Sequence, residues 1–292
     1  TCYLQPEPSN KIKNLMRQLA QQYELPYYDF KKQEGWLRNM IVRVATTGEV
    51  MVNLIVHHER PELFILLDAL KEQFPEISSL NYTLNGKKND TIYDLEVINY
   101  HGKPYIEEYL EDFRFKISPK SFFQTNTKQA EKLYQITRDF AGLTGEEVLY
   151  DLYCGTGSIG IFCSKGAKKV VGIEVVADAI EDAKINAAWN NLEHCAFFAG
   201  DVSDIATDAF FAEHGRPDVI ITDPPRAGMH EKLVQQLLKM RAPRVVYVSC
   251  NPATQARDLQ LLNEAYAVIK IQPVDMFPHT HHIENVVLLE LK

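Results

Sequence analysis

Apolar residues at Ile12, Leu15, Met16 and Leu19 recur at helical spacing and predict a helix over 9–23. Ser9 stands where an N-cap belongs, and Lys11, Lys13 and Arg17 lie elsewhere around that helix. The runs 36–45 and 50–57 read as two strands joined at Thr46-Thr47-Gly48-Glu49, a hairpin signal. Pro61 suits a first helical turn, and Leu63, Leu66, Leu67 and Leu70 carry that helix to about Phe74. Three further extended runs, 79–84, 93–100 and 105–117, are separated by polar stretches at 85–90 and 101–104. Two helices and about five strands predict a compact α+β domain over 1–120.

From Thr125 the pattern changes to alternation. A helix over 125–141 leads to strand 148–152, helix 158–164, strand 169–173 and helix 177–190. Strand 195–199, a helical stretch 203–213, strand 218–222, helix 230–240, strand 244–249 and helix 252–264 follow. Alternating units of this kind predict a parallel sheet covered on both faces. The last two strands, 268–274 and 285–291, have only a short loop between them, which suits an antiparallel pair. The second domain, over 121–292, is therefore expected to be a doubly wound α/β sheet with a C-terminal antiparallel hairpin. That ending distinguishes sheets that bind S-adenosylmethionine from those that bind NAD.

Candidate chemistry falls at predicted strand ends. The stretch 148–160 reads V-L-Y-D-L-Y-C-G-T-G-S-I-G, a strand, a glycine-rich turn and a helix start. Gly155, Gly157 and Gly160 permit a tight turn and close approach of a ligand to the helix N-terminus. Glu174 ends the next strand 19 positions after Gly155, where nucleotide-binding sheets present the acceptor for ribose hydroxyls. An adenosine-containing cofactor is expected there. In Asp223-Pro224-Pro225-Arg226, two prolines hold the backbone extended and aim the Asp223 carboxylate outward. Enzymes that methylate amines carry an aromatic where Arg226 stands, which argues against that reaction.

Ser249-Cys250-Asn251-Pro252 ends an apolar strand that should neighbour the strand ending at Asp223. The following helix start is expected to favour a thiolate at Cys250. Glu284 opens the final strand as a candidate general base. His279, His281 and His282 precede it, at a spacing that matches no common metal-ligand set, and no metal is expected.

Composition bounds the rest. The chain has 292 residues, 46% hydrophobic and 24% charged, as in an ordinary globular protein, and no apolar run approaches a membrane span. Five cysteines form no CxxC pair, and a reducing cytoplasmic setting fits. The start lacks the basic and apolar parts of a signal peptide and an initiator Met, so a fragment of a longer protein is expected. The net charge is −8, with fifteen cations against seventeen carboxylates in 1–120 and sixteen against twenty-two beyond. Nucleic-acid binders are usually basic, so any RNA contact must use a local patch or a domain outside this chain.

Six pieces in order resemble the RNA (uracil-5-)-methyltransferase family, which forms 5-methyluridine in ribosomal or transfer RNA. They are 121–126 (SFFQTN), 151–157 (DLYCGTG), 172–174 (GIE), 223–226 (DPPR), 249–252 (SCNP) and 282–284 (HIE). The resemblance implies a Rossmann-like class I methyltransferase domain. It implies S-adenosylmethionine held by Gln124, Tyr153, Glu174, Asp201 and Asp223, with Cys250 as nucleophile and Glu284 as base. Phe122, Phe123 and Tyr153 are candidate stacking surfaces for a base. RNA is the implied partner, and the region of Cys2 favours the branch acting on 23S ribosomal RNA over the one acting on tRNA. A monomer is expected. Members often carry an N-terminal oligonucleotide-binding barrel and an iron–sulfur cluster. Only Cys2 of such a ligand set occurs in this chain, so no cluster is expected from it.

The chief rivals are an NAD-dependent oxidoreductase and a non-catalytic RNA-binding module. The first leaves DPPR, SCNP and the final hairpin unexplained, and the second leaves the Cys250–Glu284 pair without a task.

Overall fold

A computed structural model describes residues 2–292. The chain divides into two compact units, one taking the residues up to Glu108 with Lys116–Lys120, the other Tyr109–Phe115 and Ser121–Lys292.

The first unit comprises helices α1 (Ser9–Gln22) and α2 (Pro61–Gln73) and strands β1 (Leu37–Val44), β2 (Val50–Val56), β3 (Ile77–Leu84) and β4 (Ile98–Gly102), forming a sheet in that order. β2 and β3 run parallel because α2 crosses between them, and the outer pairs are antiparallel. Ile12, Leu15 and Met16 of α1 and Leu63, Leu66, Leu67 and Leu70 of α2 pack on Val52, Leu54 and Leu80. Ser9 is the first helical residue and Pro8 occupies the cap position, so Ser9 is not the N-cap. The predicted strand 93–100 is shorter and later, because Leu95 donates to the Ile92 carbonyl in a turn and Lys87 ties Thr91 and Asp94 into a loop.

The predicted run 105–117 is a hairpin of β5 (Ile106–Leu110) and β6 (Phe113–Ile117). It reverses at Glu111, whose φ of 50° is left-handed. Buried positions alternate within each strand but change parity across the turn, from Ile106, Glu108 and Leu110 to Phe113, Phe115 and Ile117.

In the second unit, α3 (Thr127–Ala141) precedes β7 (Val148–Leu152), α4 (Ser158–Cys163), β8 (Lys169–Glu174), α5 (Ala177–Trp189) and β9 (Cys195–Ala199). Then come α6 (Val202–Ile205), α7 (Asp208–His214), β10 (Val219–Thr222), α8 (Glu231–Met240), β11 (Arg244–Ser249), α9 (Pro252–Leu262), β12 (Tyr266–Val274) and β13 (Glu284–Leu291). The stretch read as one helix over 203–213 is split, because the Thr207 side chain accepts from Phe210 N–H and starts a new helix.

The strand order is β12-β13-β11-β10-β7-β8-β9, parallel except that β13 runs antiparallel between β11 and β12. This is the doubly wound α/β sheet with a terminal antiparallel hairpin. Tyr150, Ile220, Tyr247 and Val287 face α8 on one side, and α3 packs on β10, β11 and β13. Among the described residues no helix is long and apolar enough to cross a membrane.

Candidate active site

The turn after β7 is tight and strained. Tyr153 sits at φ 60°, a left-handed conformation that costs an aromatic residue energy and so marks a constrained site. Gly157 caps α4 at φ 78°, and a Cβ there would lie 2.8 Å from Phe197. Glu174, ending β8, accepts hydrogen bonds from Gly155 N–H at 3.3 Å and Val176 N–H at 3.0 Å. Its carboxylate is thereby held against the glycine turn. Asp201 caps α6 by accepting from Ser203 N–H at 2.7 Å. Tyr153, Glu174 and Asp201 together line a cleft of about 220 Å³, with Ile173, His230 and Leu233 completing its wall. Burial, and then the nearby Asp201, push the Tyr153 phenol above its ordinary pKa.

Asp223, Cys250 and Glu284 form a second group at the same sheet edge. β10 and β11 pair in parallel with Thr222 beside Tyr247, so Asp223 and Cys250 leave neighbouring strands. β11 and β13 pair with Ser249 opposite Asn285; Cys250 follows that pair and Glu284 precedes it, close enough for the two groups to interact electrostatically. Burial raises the Glu284 carboxyl to about 7, against a weaker opposing pull from Arg226. Burial, then Glu284 and Asp151, hold the Asp223 carboxyl well above the carboxylate range. Asp151, inside β7, is raised to about 7 by burial; one of its oxygens accepts from Gly160 N–H at 2.8 Å and the other has no partner.

The expectation of a favoured thiolate at Cys250 does not hold for this state. Its thiol is pushed up by burial, then by Glu284 and Asp223, and Arg226 opposes this only in part. The start of α9 is already satisfied by Asn251, whose side chain accepts from Ala253 N–H at 3.1 Å.

Gln124 is buried in the segment before α3 and does not line the cleft. Phe123 packs on Phe115 in the core, whereas Phe122 is 70% exposed. Of the two, only Phe122 is free to stack on a base. Cys2 is tied by its backbone N–H and carbonyl to the Asn10 side chain at the start of α1.

Two residues that sequence reasoning missed lie on α9. Gln255 donates to the carbonyls of Tyr247 and Asn285 and accepts from the Asn285 amide at 2.6 Å, tying β11 to β13. Asp258 accepts from Tyr247 Oη at 2.7 Å and Met229 N–H at 2.8 Å, tying β11 to the loop after Asp223. Arg226 is held through its carbonyl, which accepts from Asn251 Nδ2 and Thr254 Oγ1. The available signal was two polar residues sharing a helix face with Leu262.

The residues fit S-adenosylmethionine. A cleft with a fixed carboxylate suits a ribose, and burial raises the nearby carboxyl groups of Asp151, Asp223 and Glu284, so ionising them there is costly. A cationic ligand, carrying a sulfonium and an ammonium, would offset the cost of their ionisation.

A family model described as tRNA (uracil-5-)-methyltransferase matches residues 4–292. The chain belongs to the tRNA (uracil-5-)-methyltransferase family. Among relatives of this family, proteins named as uncharacterized RNA methyltransferases from Bacteroides thetaiotaomicron and Porphyromonas gingivalis are 54% and 52% identical over 100% and 99% of this chain. The chain spans 65% and 63% of their lengths, less than two thirds of either.

Among solved structures, the Pyrococcus abyssi tRNA (uracil-54, C5)-methyltransferase in complex with S-adenosyl-L-homocysteine matches with a TM-score of 0.76. That match has 33% identity and covers 94% of this chain and 65% of that one. The M. jannaschii tRNA m1G37 methyltransferase shares the fold alone, at 15% identity, TM-score 0.57, and 94% and 77% coverage. The second unit is thus a Rossmann-like class I methyltransferase fold.

Proposed function

We propose that this chain belongs to an enzyme that methylates C5 of a uridine in RNA through a covalent protein–RNA adduct. The second unit would carry the chemistry and the first would contact RNA. The observation that carries the reading is the meeting of Cys250 with Glu284 across β11 and β13, beside Asp223.

Uracil C5 is a weak nucleophile. Addition of the Cys250 thiolate to C6 forms a C–S bond and moves the ring's electron pair into an enolate, making C5 nucleophilic. When bound, S-adenosylmethionine supplies the methyl group as an electrophile. Glu284 then takes the C5 proton, the C5–C6 double bond re-forms, and the thiolate is expelled. Glu174 would accept from the ribose hydroxyls, Tyr153 and Asp201 would flank the adenosine, and Asp223 and Gln124 would contact the cofactor from outside that cleft. The base must leave its stack to reach Cys250, at a cost of a few kcal/mol that single-stranded loops lower.

The expected target is 23S ribosomal RNA, from the resemblance around Cys2. A tRNA target is the second reading, favoured by the likeness to an enzyme named for tRNA uracil-54. Mass mapping of 5-methyluridine in ribosomal and transfer RNA from a deletion strain decides between them. Loss from neither RNA would overturn the reading.

Calorimetry should show S-adenosylhomocysteine binding that Glu174→Ala weakens by about 1.5–3 kcal/mol, the range for hydrogen bonds to a charged group. Tight binding of NAD in its place would be inconsistent with this cofactor.

The pH dependence has a definite sign. Glu284 accepts a proton only when ionised, and its carboxyl is raised to about 7. Breakdown of the methylated adduct, the step Glu284 serves, should therefore slow as pH drops below about 7. Adduct formation should slow in the same direction, since the thiolate fraction of the raised Cys250 thiol also grows with pH. Adduct breakdown at the same rate at pH 6 and pH 8 would remove Glu284 as the base.

A further inference from the structure

The first unit holds a cleft of about 440 Å³ between α1, β1 and β2, within the range of small-ligand sites. Its floor is Met16, Leu37, Met40 and Leu54, its edge carries Lys13 and Arg17 with the amides of Gln21 and Asn39, and the buried Arg38 also lines it. No carboxylate lines it, although residues 1–120 have more carboxylates than cations. α1 itself carries Lys11, Lys13 and Arg17 and no acidic residue. Among the described residues, neither Lys13 nor Arg17 is engaged in an ion pair. Lys13 and Arg17, one helical turn apart on α1, repel one another, and an anion between them relieves that repulsion.

The aromatic wall is built deliberately by the backbone. Tyr28 N–H donates to the Leu37 carbonyl at 2.8 Å, and Tyr27 pairs with Leu37 as an isolated bridge. Gly35, at φ 114°, allows that approach, since a Cβ there would lie 2.3 Å from the Tyr27 carbonyl oxygen. The result fixes Tyr27 at the cleft with 62% of its surface exposed. Arg38 stacks on Tyr28 at 3.9 Å and donates through Nη1 and Nη2 to the Lys87 and Asn89 carbonyls, which holds that aromatic in place; only its Nε has no hydrogen-bond partner.

We propose that this cleft binds one unstacked nucleotide of single-stranded RNA, its base on Tyr27 above the methionine floor and its phosphate at Lys13 and Arg17. An apolar floor and a free aromatic face suit a base, amides suit its polar edge, and cations suit a phosphate. The inference rests on the RNA-modifying reading above and locates a contact to the substrate in the first unit.

The test is fluorescence polarisation with a labelled single-stranded oligouridylate, on the whole chain, over a series of salt concentrations. Tyr27→Ala should weaken binding about 10-fold and Tyr27→Phe should not, because only the ring face is used. Lys13→Ala combined with Arg17→Ala should weaken binding at least 10-fold and make the salt slope shallower by about 1. Lys71→Ala, on α2, serves as the control for loss of a cation elsewhere. These side chains are solvent-accessible, and unfolding curves matching wild type verify that the variants fold. Photocrosslinking of the same RNA substituted with 4-thiouridine should label the peptide containing Tyr27.

Cleft variants that bind like wild type, or crosslinks that map only outside the cleft, overturn the inference. A wild type that methylates RNA while the cleft variants keep full affinity overturns the cleft alone. A wild type that neither binds nor methylates RNA overturns the functional reading with it.

Discussion

Glu284→Gln should leave a protein that adds to its RNA, methylates it and then stays attached. Glu284 acts after C5 has been methylated, so its loss should not prevent attack by Cys250. The adduct should survive denaturation and carry the methyl group, with release slowed by ~10²–10⁴ because water is a poor substitute base. Cys250→Ala should form no adduct and no product, since the first bond cannot form. RNA containing 5-fluorouridine should trap the wild type at the same stage, because fluorine at C5 does not leave as a proton would. Denaturing gels with labelled cofactor read all three. Wild-type turnover by Glu284→Gln without adduct would remove Glu284 from the mechanism, and adduct formation by Cys250→Ala would place the nucleophile elsewhere.

Asp258→Ala should be the most damaging substitution outside the reacting groups. The side chain is 1% exposed and accepts from Tyr247 Oη and Met229 N–H, and also pairs with Arg257 at 2.7 Å. Deleting it strands two buried donors, at ~1–3 kcal/mol each, so a loss of about 3 kcal/mol is expected. That is a large share of a typical stability of about 5–15 kcal/mol. Because Asp258 also anchors the loop after Asp223, residual activity in the folded fraction should fall too. Denaturant titration measures the first effect, and adduct yield per folded molecule measures the second. A midpoint within error of wild type would show that the Asp258 clasp is not a significant source of stability.

The glycine turn, Glu174 and the ends of β10 and β11 were legible in the sequence because each depends on local chemistry. Gly157 must adopt positive φ, prolines at 224 and 225 must arrest a strand, and apolar alternation marks buried runs. The same locality explains the errors. Reading 105–117 as one extended run passed over the parity change and the polar pair Glu111-Asp112 that mark the turn, and a helical composition hid the new cap at Thr207. Tertiary structure decided what depends on distant segments meeting.

Cys250 and Glu284 come near one another only because β13 inserts antiparallel between β11 and β12, a register no local pattern encodes. Tertiary structure also reversed the expected ionisation of Cys250. A helix start beside a cysteine suggests a thiolate, but burial beside Glu284 and Asp223 outweighs it. The glycine turn and the strand-end residues were therefore set by the sequence itself, through backbone conformation and periodicity. Which of those residues face one another, and in what state of charge, was set by packing, because desolvation and strand register exist only once the sheet has closed.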